Sequence, residues 1–107
     1  VMGTDSDPFY GAKTVIVVFS NSESHTCVED GSLIMGNLMN AAHSLGVCSC
    51  WIHRAKEVFE FEEGKKLKQK WGIPESYVGI GHCIIGYTDD AIKQAADRKS
   101  DYVVYSE

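Results

Sequence analysis

Between Lys13 and Arg54 the chain carries no lysine or arginine, and its only carboxylates there are Glu23, Glu29 and Asp30. A stretch so poor in charge reads as interior or interface rather than as solvated surface. No uninterrupted apolar run reaches the ~18 residues of a membrane-spanning helix, so no membrane partner is expected. The first residues, Val1-Met2-Gly3-Thr4-Asp5-Ser6-Asp7, lack the basic, apolar and small-residue regions of a signal peptide, and a cytoplasmic location is expected. No Cys-x-x-Cys occurs, which removes thioredoxin-like and zinc-ribbon readings. Cys27, Cys48, Cys50 and Cys83 are therefore expected to be reduced thiols. Basic residues are also in deficit, ten Lys and Arg against fifteen Asp and Glu, for a net charge of -5. That sign opposes the basic field with which proteins displace counterions from nucleic acid, so no nucleic-acid partner is expected. An anionic ligand would have to be held by a local basic pair.

What is present suits one foldable domain spanning residues 1–107, with 44% hydrophobic residues and one core. Lys13 to Ser20 (KTVIVVFS) is apolar on both faces, the pattern of a strand covered on both sides. A long helix is expected from Thr26 to Leu45. Its apolar residues, among them Leu33, Ile34, Met35, Leu38, Met39 and Leu45, go most of the way round, which favours a subunit interface. Gly31 and Gly36 each cost up to about 1 kcal/mol of helix propensity, as expected where a partner or ligand approaches closely. Gly46 supplies the stop. Val47 to His53 reads as a short strand, and Ala55 to Trp71 as an amphipathic surface helix with Val58, Phe61, Leu67 and Trp71 turned inward. This segment opens the charged part of the chain, since residues 54–70 hold six basic and four acidic side chains. Pro74 blocks the helix from continuing. Tyr77 to Tyr87 reads as a buried strand, residues 88–101 as loop, and Tyr102 to Tyr105 as a terminal strand with no evident local partner. The element order gives an α+β domain.

Five blocks in order, GAKTVIVVF, EDGSLIMGNLMNAAHSLG, SCWIHRAKEVFE, GKKLKQKWGIPESYVGIGHCIIGY and DRKSDYVVY, resemble the C-terminal half of the flavin-dependent nitroreductase family. The resemblance covers residues 8–106. It implies a nitroreductase-like α+β fold with a mixed sheet and a long central dimerisation helix, present here as a C-terminal partial domain. It also implies a homodimer, or pairing with a complementing N-terminal half, with FMN held in clefts at the interface. The family passes electrons from NAD(P)H through the flavin to a nitroaromatic, quinone or similar small-molecule acceptor. The Arg-x-Ser segment that grips the flavin phosphate and ribityl chain in the family's N-terminal half does not precede Val1. By the same resemblance, Cys50, Trp51, Ile52 and His53 match the segment lining the isoalloxazine ring, with a backbone N–H near its reactive nitrogen. Arg98 and Lys99 match the pair that contacts the FMN phosphate, for which a guanidinium fork and an ammonium are suitable donors. No catalytic side chain is assigned, because the hydride chemistry belongs to the flavin.

Some positions depart from the family. Lys13, Thr88 and Asp97 stand where proline is usual, Cys48 where glycine is usual, and Asn40 interrupts the apolar helix. Asp97 sets a negative charge beside the proposed phosphate pair. Two other readings compete. His43, Cys48, Cys50 and His53, with His82 and Cys83 further on, offer zinc-type ligands. Their spacing matches no standard zinc pattern, and Cys48 and Cys50 would share a strand face that His53 does not, so no metal is assigned. The charge-poor helix also suits a truncated, catalytically inactive dimerisation or interaction module.

Overall fold

The computed structural model describes residues 7–106. The chain enters through a turn tied by Asp7, whose carboxylate accepts hydrogen bonds from the Phe9 N–H (2.9 Å) and the Gly11 N–H (2.7 Å). Strand β1 follows at Thr14–Asn21, then helix α1 at Cys27–Ser44 and strand β2 at Cys48–Ile52. Two short helices, α2 at Ala55–Val58 and α3 at Glu62–Lys70, precede the longest strand, β3 at Tyr77–Gly86. The three strands form one sheet in the order β1-β3-β2, antiparallel at both junctions. The α+β class is as expected, and all three strands of the described sheet are antiparallel.

Helix α1 ends where Gly46, at φ 74°, turns the chain; the Gly46 N–H reaches the His43 carbonyl and the Val47 N–H the Ala42 carbonyl. The helix lies across all three strands. Its buried residues are Cys27, Gly31, Met35 and Ala42, and Met35 is wholly enclosed with Val18, Ile80 and Cys83 around it. Gly31, expected to admit a partner or ligand, instead admits a side chain of its own sheet: a Cβ there would run into Ile80. Gly36 faces open space. Val28, Leu33, Ile34 and, just past the helix, Leu45 are exposed, Val28 at the rim of a cleft beside β2.

The register between β1 and β3 skips one residue. Val18 pairs with Gly81 and Phe19 with Gly79, leaving Ile80 as a bulge. Alternation is inverted across it, because side chains in a strand change face at every residue unless an extra one intervenes. Val78 and Ile80 therefore pack toward α1 together with Cys83 and Ile85, whereas His82 faces the other way, against Phe9 and Phe59.

The expected helix over 55–71 is broken at Phe59–Phe61. Phe59 is buried in its place, with its ring 4.8 Å from that of Phe19 in an edge-on arrangement. Of the four residues expected inward, Val58 is buried, and Phe61, Leu67 and Trp71 are exposed. The inward positions of α3 are Gly64 and Lys68, one turn apart. Backbone leaves no room for a side chain at Gly64, and the Lys68 ammonium donates to the carbonyls of Glu75 and Tyr77. Those two acceptors compensate for its burial.

Beyond β3 the chain is irregular and exposed throughout residues 87–106. Tyr102 to Tyr105, expected as a strand, form none among the described residues, and all four side chains are exposed.

Candidate functional site

Strand β2 is an edge of the sheet, so its alternate backbone N–H and C=O groups point away from β3 without a strand to receive them among the described residues. Two clefts flank it on opposite faces. The first, about 460 Å³, lies on the α1 side and wraps the end of β2; Trp51, His53, Arg54 and Lys56 line it with Ser32 and Ile80. The second, about 570 Å³, sits on the other face between the entry turn and the last residues of β3, with Cys48 and Cys50 in its wall.

Strand alternation divides the four expected ring-lining residues. Trp51 pairs with Cys83 and packs on the α1 side, and His53 lies just past the strand with its ring 6.3 Å from the indole. Cys50 pairs with Ile84 and lines the opposite cleft, while Ile52 pairs with His82 and lines neither. Side chains of all four therefore do not converge, and what they share is the backbone of one exposed edge. Arg98 and Lys99 also line neither cleft. Both are exposed on the irregular C-terminal segment, where the Arg98 guanidinium donates to the carbonyl of Ala96 (3.1 Å).

Among the described residues two buried side-chain polar atoms lack a hydrogen-bond partner, Trp51 Nε1 and His82 Nδ1. The indole lies over Gly81, where a Cβ would fall 2.6 Å from Nε1, so glycine is needed for the ring to lie against the strand. Burial pushes His82 below the ordinary imidazole value, with backbone groups of Ile52 and His53 partly offsetting it. Burial likewise pushes the Cys83 thiol up, with a smaller contribution from Cys50, and holds it protonated.

Arg54 is not among the expected site residues, yet it belongs to the first cleft. It occupies left-handed backbone, φ 75° and ψ 14°, at the start of α2, and sits with Lys56 in the first cleft. A bulky residue held there is uncommon and stores strain. The available signal was positional: Arg54 is the first lysine or arginine after Lys13, directly behind β2. Among the described residues, no group of three or more His, Cys, Asp or Glu is placed to hold a metal ion. No helix among them is long and apolar enough to cross a membrane.

A sequence model of the nitroreductase family matches residues 3–87. The chain belongs to the nitroreductase family. Arg98 and Lys99 lie beyond the matched span. Among solved structures this nitroreductase-family chain is similar to a nitroreductase with bound FMN from Bacteroides fragilis, at TM-score 0.83 and 23% identity over 98% of this chain and 57% of that one. An FMN-dependent nitroreductase from Clostridium difficile R20291 gives TM-score 0.66 at 27% identity, over 87% of this chain and 56% of that one. A nitroreductase with bound FMN from Desulfitobacterium hafniense gives TM-score 0.76 at 22% identity, over 94% and 54%. The chain thus spans little more than half the length of these solved relatives. Comparison with curated proteins gives no match.

Proposed function

We propose that this nitroreductase-family chain takes part in an FMN-dependent oxidoreductase, passing electrons from NAD(P)H to a nitroaromatic, quinone or similar acceptor. The observation that carries the reading is the exposed edge of β2 beside the cleft of Trp51, His53, Arg54 and Lys56. Its donors suit a flavin mononucleotide. Unpaired backbone groups match the polar rim of a flat heterocycle, Trp51 and Ile80 offer an apolar wall, and Arg54 and Lys56 against the single carboxylate of Glu57 leave a net positive charge that favours an anionic ligand. The flavin, when bound, supplies the hydride and electron transfer. The chain's residues orient it. Backbone N–H groups of β2 hold the ring, with Cys50, Trp51, Ile52 and His53 setting its position. Arg98 and Lys99 close on the phosphate, Arg98 giving up its bond to Ala96.

A homodimer accompanies this reading. Val28, Leu33, Ile34 and Leu45 leave an apolar surface on α1 that a second copy would cover. Tyr102 to Tyr105 would pair with the partner subunit's sheet. The same exposed surface supports the second reading, a dimerisation or interaction module without redox chemistry.

Incubation with excess FMN, then gel filtration with detection at flavin wavelengths, separates the two. Flavin co-eluting at dimer mass, with NADH or NADPH oxidation on adding a quinone, is the expected result. A colourless dimer leaves the interaction module, and a colourless monomer sinks both. In the double variant Arg98→Ala, Lys99→Ala the FMN Kd is expected to rise at least about tenfold with unchanged thermal stability. An unchanged Kd would remove the phosphate role.

A further inference from the structure

We infer that Cys48 and Cys50 form a two-thiolate site for a soft monovalent metal ion of the Cu(I) class, in the cleft on the face of β2 opposite the proposed flavin side. Both cysteines are exposed, and the exposure pattern along Cys48–Ile52 places them on one face of the strand with the half-buried Ser49 between them. Their register partners, Gly86 and Ile84, line the same cleft. Neither thiol is occupied by another side chain; Cys50 Sγ donates only to the carbonyl of Trp51, at 3.7 Å.

Strand geometry selects what can join them. Residues two apart along a strand have Cα atoms about 6.7 Å apart, at the upper limit for a disulfide, so direct oxidation would bend the strand. A two-coordinate ion needs its sulfurs about 4.5 Å apart, twice a metal–sulfur bond of about 2.3 Å, and modest rotation of both side chains supplies that.

The rest of the lining excludes other ions. No histidine or carboxylate is among the described lining residues, so zinc's four-ligand set and the oxygen ligands of calcium or magnesium are missing. Thiolates alone select a soft ion. Two thiolates on a monovalent cation leave one net negative charge, and Lys13 is the cation in the cleft wall. Binding is not a redox step. Two S–H protons leave as two S–metal bonds form, and the ion keeps its oxidation state. The inference uses none of the residues assigned to the ring or phosphate except Cys50, and it stands whether or not FMN binds.

The test titrates the full 107-residue chain, reduced and without oxygen, with Cu(I) against a chromogenic Cu(I) chelator, and takes native mass on the same samples. The expected result is one Cu(I) per chain, lost in Cys48→Ser and in Cys50→Ser and kept in Cys27→Ser, with circular dichroism unchanged in all three. Cys48→Ala gives a second check at the first position. Binding that survives both serine variants, that disappears with Cys27→Ser, or that equimolar Zn(II) displaces would overturn the site.

Discussion

The two faces of the sheet are built on different chemistry. Toward α1 the contacts are aliphatic and sulfur-bearing: Val18, Met35, Ile80 and Cys83 close on one another with Trp51 at the margin. On the opposite face Phe59 joins Phe19, Trp71 and His82, Phe9 covers His82 from the entry turn, and a buried ammonium ties α3 to the backbone before β3. The first face rests on a helix long enough to span all three strands, so its stability is distributed. The second is assembled from short pieces that depend on one aromatic anchor. A core shared among many side chains tolerates trimming better than one gathered around a single ring.

Truncating the anchors tests this contrast most strongly. Phe59→Ala is expected to destabilise the chain by about 4 kcal/mol and Met35→Ala by about 3 kcal/mol, both read from urea unfolding. The two should also differ in kind. Loss of Phe59 should release α2 and α3 to rapid hydrogen exchange while α1 stays protected, whereas loss of Met35 should weaken protection across the sheet. Equal loss of protection in both variants would erase the distinction.

A second effect, dependent on pH, belongs to the aromatic face alone. His82 is held below its ordinary value of 6.5 by burial. Above about pH 7 the imidazole is neutral in both folded and unfolded chains and contributes no slope. As pH falls below 6.5 the unfolded chain takes up a proton that the folded chain refuses, so stability declines until the lowered folded value is reached. The urea midpoint should therefore be flat above pH 7 and fall between 6.5 and that lower value, and His82→Phe should remove this part of the fall. A slope that persists undiminished in the variant would assign it to another group.

The smallest expected effect lies at the seam between the faces. Arg54→Gly relieves left-handed strain at φ 75° but adds backbone freedom to the unfolded chain. The opposing contributions leave a gain of about 0.5 kcal/mol. FMN affinity should fall in the same variant, because a cation leaves the cleft. A loss of stability instead would show that the arginine side chain holds α2 in place.

Much of this arrangement was legible before folding. The stretch without lysine or arginine located the elements that pack together, Gly46 and Pro74 marked real ends, and a continuous β-branched and aromatic run located β1. The misreadings share one cause. Periodicity over 55–71 gave a single amphipathic helix because Val58, Phe61, Leu67 and Trp71 all resemble core residues, yet backbone closure at Gly64 and the carbonyls of Glu75 and Tyr77 favour Gly64 and Lys68 inside. Composition cannot reveal that a lysine will find two acceptors. Tyr102 to Tyr105 have strand composition without a strand, because pairing depends on a neighbour that local sequence does not supply. At the candidate site the order Cys50-Trp51-Ile52-His53 was readable as one segment. Its division between two clefts follows from β2's pairing with β3, a long-range fact.

The bulge at Ile80 has a consequence for how this sequence can vary. It acts as a half-step in an odd–even count: everything in β3 after it is counted from a different zero than everything before. Deleting that one residue would close the bulge, set Gly79 and Gly81 on the successive partners Phe19 and Val18, and leave His82 and Cys83 in their seats at the cost of one core isoleucine. Deleting a residue of β3 away from the bulge has no such slack, and every side chain between the gap and the strand end would change face. Substitutions in β3 are local events, whereas a change of length on either side of Ile80 rewrites both faces at once.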